Sequence, residues 1–342
     1  MPVETVVIGL NWVGDNVLAL PTYRALQQRF RHEGGIAIAA PEHITTLLAS
    51  SGIFRRIVPW NGNTRDRIRQ LKAGRFRRAV ILPNSFRAAW VALAAGIPER
   101  WGYSTDVRSM LLTNSVKALP SRGHQLDDYS GLLDALNAPL VNDEIPTISL
   151  PQHVREKARR RLRERGIRFD RPLFGIHPGG LFGRAKHWGD DRYCEVADRL
   201  RRNGLDVVLL TSPGERQQAV SIALQCGGDE LPMMGDDGDV LQLAAAISYC
   251  SVVITNDSGP LHLATALAVP SVSIFGPTDP GRTVIPGASR VVSKPFGCQP
   301  CYKRECPLGH HRCMTEIQVD EVFDAAVGLL REIEADGEVR VL

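Results

Sequence analysis

Short apolar runs alternate along this chain with longer stretches whose apolar positions recur at helical spacing. In the first half, residues 6–10, 36–40, 56–60 and 79–83 read as strands, and 17–30, 44–50, 64–73 and 86–95 as helices. That alternation predicts a parallel sheet covered by helices. Residues 137–151 lapse into Pro, Asn and Asp and read as a linker. The alternation then restarts. A basic helix at 152–165 leads to strands at 173–177, 206–211, 251–255 and 271–275, with a short one near 231–234. Helices at 191–203, 215–225, 240–248 and 260–267 lie between them, and an amphipathic helix at 319–334 closes the chain. The expected fold is α/β: two Rossmann-like doubly wound domains, 1–150 and 151–342, facing a cleft. The last helix is free to pack back on the first domain. Ligands in such sheets bind beyond the carboxyl ends of the strands.

Composition narrows the partners. With 44% hydrophobic and 23% charged residues the chain supports a sizeable core. Aromatics at 6% are too few for a lectin surface or a nucleic-acid stacking platform. A net charge of +4 does not call for nucleic acid either. Basic residues nevertheless cluster between Arg65 and Arg78 and between Arg155 and Arg165. Such runs read as solvated helix faces or as contacts for an anionic partner such as a phosphorylated lipid surface. The sequence enters a strand directly after Met1, so no signal peptide is expected, and no apolar run approaches the roughly 20 residues of a membrane span. Seven cysteines, an odd number, fit reduced thiols in a cytoplasmic protein.

The segments with chemistry all follow strands. In Thr255-Asn256-Asp257-Ser258-Gly259-Pro260, a buried strand turns into a helix, with Asp257 and Ser258 as candidate caps. The first turn of that helix suits a phosphate, with Asp257 near a hydroxyl of whatever carries it; a capped turn without ligand is the alternative. In Asn11-Trp12-Val13-Gly14-Asp15, Asp15 is either a helix-start charge or a general base. The loop lacks the G-x-G-x-x-G spacing of a dinucleotide site, which disfavours a nicotinamide enzyme. His177-Pro178-Gly179-Gly180, followed by Lys186-His187-Trp188, offers bare backbone N–H groups and a lysine suited to a diphosphate. Glu215 charges a helix start or accepts from a ribose. Cys298, Cys301, Cys306 and Cys313, with His310 and His311 among them, have the density of a structural zinc site, or else are reduced thiols that structure a loop.

Together these segments resemble the family 9 glycosyltransferases, the bacterial lipopolysaccharide heptosyltransferases. Trp12-Val13-Gly14-Asp15 is similar to the opening motif of the heptosyltransferase II subgroup. The segments from Leu82 to Arg87 and from Ala95 to Arg100 are similar to the family's first half. His177-Pro178-Gly179, Ala185-Lys186-His187-Trp188, Thr255-Asn256-Asp257-Ser258-Gly259 and Phe275-Gly276-Pro277-Thr278 are similar to its second. The resemblance implies a GT-B fold and inverting transfer of L-glycero-D-manno-heptose from ADP-heptose to the heptosyl-Kdo inner core. It implies Asp15 as general base and Lys186 as phosphate contact. The donor would meet His177, Gly179, Glu215, Asp257, Ser258 and Gly259, and the acceptor Asn84, Arg87 and Arg100. No cofactor is expected in the chemistry. The partners are the ADP-heptose donor, the lipid A-Kdo-heptose acceptor and, peripherally, the inner face of the inner membrane, with no nucleic acid. The alternatives are a family member with another acceptor, of heptosyltransferase I or III type, and a catalytically silent nucleotide-sugar-binding protein. A zinc-containing RNA-binding tail is a third.

Overall fold

The computed structural model describes residues 2–118, 123–140, 145–180, 183–226 and 231–335, so part of the expected linker, 141–144, lies outside the described residues. The contacts divide the chain into two compact units, Met1–Ile148 and Ser149–Leu342.

The first unit holds a parallel sheet of six strands. They are β1 (Thr5–Ile8), β2 (Ile36–Pro41), β3 (Arg56–Trp60), β4 (Arg78–Ile81), β5 (Glu99–Tyr103) and β6 (Asn114–Val116). Their order across the sheet is β3-β2-β1-β4-β5-β6. Val6, Val7 and Ile8 are wholly buried because helices cover both faces, which is why β1 reads as an unbroken apolar run. The helix Thr64–Gly74 is overwhelmingly polar, yet it starts firmly. Asn63 accepts from Arg65 and Asp66 N–H, and Asp66 accepts from Asn63 N–H, a complete capping box. The expected helix at 17–30 is two helices, Val13–Leu18 and Leu20–Phe30, the second with proline in its first turn.

The second unit repeats the plan with β7 (Leu173–His177), β8 (Asp206–Leu210), β9 (Met233–Met234), β10 (Val252–Asn256), β11 (Ser271–Phe275) and β12 (Ser289–Ser293). Their order is β12-β11-β10-β7-β8-β9. Counted within each unit, both sheets run 3-2-1-4-5-6, the Rossmann order, with the topological switch between β1 and β4 and between β7 and β10. The helix Val319–Ala335 belongs to the second unit: Val322, Ala326 and Leu330 join Ile254, Val272 and Ile274 in its core. The basic helix Gln152–Glu164 buries Val154, Ala158 and Leu162. Its cations are partly spent within the same unit, Arg161 on Asp237 at 2.8 Å and Lys157 on Asp239 at 3.4 Å. Among the described residues, no helix is long and apolar enough to cross a membrane.

Candidate active site

Both switch points carry the segments with chemistry. After β1, the buried Asn16 folds the loop back on itself. Its Nδ2 donates to the carbonyls of Leu10 (3.0 Å) and Trp12 (2.7 Å), and Tyr23 OH donates to its Oδ1 (2.7 Å). That bracing leaves Asp15 half-buried in the first turn of Val13–Leu18. Gln125 Nε2 donates to Asp15 Oδ1 at 3.0 Å. An amide orients the carboxylate without competing for a proton. The buried Tyr129 stands nearby, its phenol pushed far up by burial and then by the charge of Asp15. The arrangement suits a carboxylate that accepts a proton from a bound hydroxyl.

After β4, Asn84 and Arg87 reach the same rim. Asn84 Oδ1 accepts from the buried Arg108 at 3.3 Å, and Arg87 is exposed at the start of the helix Phe86–Ala94. Arg100 does not join them. It lies at the amino end of β5, and its guanidinium donates to the carbonyls of Leu111 (2.7 Å) and Pro98 (3.1 Å) in a clasp on its own unit.

In the second unit, the loops after β7, β8 and β10 converge. His177 ends β7 and is buried. Its Nε2 faces Glu215 Oε2 at 3.3 Å and its Nδ1 faces Ser258 Oγ at 3.2 Å. Ser212 Oγ donates to the same Glu215 oxygen at 2.6 Å. Gly179 is small for a reason: a Cβ there would lie 2.3 Å from Glu215 Oε1. Burial opposes ionisation of Glu215, but the hydrogen bond and charge of His177, with Ser212 and the Gly180 N–H, hold its carboxyl below the usual range. Asn256 fixes the turn after β7 by donating to the carbonyls of Pro178 (3.3 Å) and Gly179 (3.2 Å).

Lys186 and Asp257 form a buried pair. Lys186 Nζ donates to Asp257 Oδ2 at 2.6 Å and to its carbonyl at 2.9 Å. Burial alone would raise the Asp257 carboxyl, but the Lys186 charge and then that of His262 hold it low. Ser258 precedes the helix Gly259–Ala266, yet its side chain makes no cap bond; it turns to His177 and Thr255 instead. The first-turn N–H groups therefore keep no side-chain cap, beside a lysine and two imidazoles. This is the electrostatics of an anion site, and a nucleoside diphosphate would match it, phosphates at the helix start and ribose hydroxyls at Glu215.

Single-sequence reading passed over His262, on the first turns of that helix with Nε2 3.9 Å from Asp257 Oδ1, and Gln125, 110 residues from its partner Asp15. His262 had a usable signal, since it lies three residues past the Gly259 turn. Gln125 had none.

The zinc expected on Cys298, Cys301, Cys306 and Cys313 is not supported. The four thiols line one small cavity, but among the described residues no group of three or more His, Cys, Asp or Glu side chains could hold a metal ion. The two imidazoles are engaged elsewhere. His311 Nε2 faces the Ala185 carbonyl at 2.7 Å, and His310 Nδ1 accepts from Arg312 N–H at 3.1 Å. Backbone N–H groups, that of His311 first, lower the Cys306 thiol, so this sulfur organises a loop as an acceptor.

Residues 65–312 match the model of glycosyltransferase family 9 (heptosyltransferase). The chain is 29% identical to lipopolysaccharide heptosyltransferase 2 of Escherichia coli K12, over 97% of this chain and 100% of that one. It is 26% identical to lipooligosaccharide heptosyltransferase 2 of Haemophilus ducreyi, over 96% and 99%. Among solved structures, E. coli ADP-heptose LPS heptosyltransferase II superposes with a TM-score of 0.81 at 28% identity, covering 97% of this chain and 99% of that one. The family 9 glycosyl transferase of Veillonella parvula has the same fold, with a TM-score of 0.79 at 21% identity, over 97% and 99%. The expected GT-B class, two doubly wound halves in one chain, is therefore the fold.

Proposed function

This chain belongs to glycosyltransferase family 9, and from that premise we propose that it transfers L-glycero-D-manno-heptose from ADP-heptose to the heptosyl-Kdo inner core of lipopolysaccharide, the heptosyltransferase II reaction. The observation that carries this reading is the likeness to heptosyltransferase 2 of E. coli along 97% of this chain and the whole of that one. The chemistry of the two rims supports it.

The second unit holds the donor. Glu215, fixed by His177 and Ser212, accepts from the ribose, and Lys186 with the start of Gly259–Ala266 takes the diphosphate. In the first unit Asp15 is the base, while Asn84 and Arg87 meet the acceptor; Arg100 acts on it only through the loop it clasps. An acceptor hydroxyl attacks the anomeric carbon from the face opposite ADP, and its proton passes to Asp15. The bond from that carbon to the β-phosphate oxygen breaks, and ADP leaves with the electron pair through an oxocarbenium-like transition state. Lys186 and the helix start stabilise the charge growing on the diphosphate, so the step needs no cofactor. The acceptor is anchored in lipid, so the enzyme works at the inner face of the inner membrane, held peripherally through basic residues of the first unit.

The test is transfer from ADP-heptose to a purified monoheptosylated inner-core acceptor, read by mass. A product heavier by one heptose is expected. Transfer only to Kdo without heptose, or only to a diheptosylated core, would move the chain to the type I or type III reaction. Tight ADP binding with no transfer to any of the three would make it a silent binding protein.

A further inference from the structure

The carboxyl rim of the first sheet carries an apolar face that the transfer step does not use. The segments following the neighbouring strands β4 and β5 hold four large apolar side chains out to water. Phe86 is 42% and Trp90 46% exposed on one side of the helix Phe86–Ala94, and after β5 Val107 is 80% and Met110 76% exposed. The two segments are one surface. Phe86 N–H donates to Asp106 Oδ2 at 2.6 Å, and Thr105 Oγ1 donates to the Asn84 carbonyl at 3.2 Å.

The backbone is held in a costly form to present this face. Asp106 and Val107 are consecutive residues with positive φ, 51° and 53°, and for a β-branched residue that region is strained. The wholly buried Arg108 maintains it. Its guanidinium donates to the carbonyls of Tyr103 (2.8 Å) and Pro83 and to Asn84 Oδ1 (3.3 Å), binding the loop after β5 to the loop after β4. Burial lowers the Arg108 pKa to about 10, so it stays charged at neutral pH. A strained turn whose visible product is a valine projecting into water points to a use for that projection.

Charge says what the face meets. Arg87 leaves the same helix and stands close to Arg67, whose pKa is lowered by burial and then by the Arg87 charge. Arg65 and Arg69 are exposed on the helix Thr64–Gly74, which packs against Phe86–Ala94. The acids on this side are engaged within the unit: Asp66 caps its own helix and pairs with Arg69, and Asp106 accepts from Phe86. Aromatic and aliphatic side chains beside four arginines and only two acids match a lipid interface, where the apolar groups enter the acyl boundary and the surplus cations meet anionic headgroups.

We propose that Phe86, Trp90, Val107 and Met110, flanked by Arg67 and Arg87, form the surface by which this protein docks on an anionic phospholipid bilayer. The inference rests on the lipid-anchored acceptor of the proposed function and deepens it. Asp15 follows β1, the strand beside β4, so the docking face and the base both lie past the carboxyl ends of the same sheet.

The experiment is flotation of the full chain with vesicles of phosphatidylcholine mixed with phosphatidylglycerol, and with phosphatidylcholine alone. The wild type should bind the mixed vesicles and lose most of that binding on the neutral ones. A Val107→Asp/Met110→Asp double variant should partition at least about ten-fold more weakly. In the absence of vesicles it should keep wild-type transfer to a deacylated, water-soluble acceptor, which shows that it is folded. Brominated lipid should quench wild-type tryptophan emission, and Trp90→Phe should remove most of the quench. Wild type that stays off the mixed vesicles, or a double variant that binds them as the wild type does, overturns the proposal. So does a face that proves to join two copies in solution. Failure of the wild type on the soluble acceptor counts against the proposed function instead, and leaves the vesicle result to be read by itself.

Discussion

Asp15 is held by Gln125 in a first helical turn, so an isosteric amide in its place keeps the shape and loses the proton acceptor. Asp15→Asn should lower kcat by about 10²–10⁴-fold while the affinity for ADP, measured by calorimetry, stays near that of the wild type. Turnover within a few-fold of normal would remove Asp15 from the role. Lys186 is different, because its partner is buried with it. Lys186→Ala should weaken ADP binding and kcat together, and should also destabilise the fold, since it strands the Asp257 carboxylate; breaking such a pair costs about 3–5 kcal/mol. The same pair sets an acid limit. Asp257 and Glu215 both have folded pKa values below their ordinary ones, so their stabilisation is present above the unfolded values and is lost as pH falls through the folded ones. Below about pH 4 thermal unfolding should move down steeply, and Asp257→Asn should flatten that dependence. Asp15, Lys186 and Asp257 were legible in the sequence because each sits in a short motif behind an apolar run. Gln125, Arg108 and the His177–Glu215 contact were not, because distant segments make them and nothing local to either partner marks the meeting.

At the scale of elements, strands buried on both faces announced themselves. β7 and β11 were read with their observed bounds. β5, β6 and β12 were not read at all. Glu99-Arg100-Trp101 opens β5 with half-buried polar side chains, and β6 and β12 are edge strands without an apolar run. Periodicity reports burial, and these strands are only partly buried. Their loops depend on single anchors. Arg108→Ala should cost about 2–4 kcal/mol, because it leaves several carbonyls without their charged donor and releases the strained turn at Val107. Denaturant unfolding monitored by circular dichroism would read that loss, and a change under about 0.5 kcal/mol would show that the turn holds without it. The basic helix Thr64–Gly74 rests in the same way on Asn63, and Asn63→Ala should cost about 1 kcal/mol by the same measurement.

At the scale of the whole molecule, every residue proposed for the donor lies in Ser149–Leu342, which has its own core and its own six-stranded sheet. That unit, produced alone, should fold and bind ADP within about ten-fold of the full chain's affinity, without transferring heptose. Loss of binding in a folded fragment would mean that the first unit contributes to the donor site. The strand order shared by the two sheets reaches further than binding. A chain that spells one topology twice has the form left by tandem duplication, and its descendants can be edited one copy at a time. On the proposed division of roles, drift in the first copy would change which sugar acceptor is served, and drift in the second would risk the nucleotide chemistry that every acceptor needs. Evolutionary rates should therefore differ between the halves, with faster replacement along the first copy's loops than around His177, Lys186 and Asp257. New acceptor specificities would then arise by changes in residues before Ser149 while the donor-binding half is inherited almost intact.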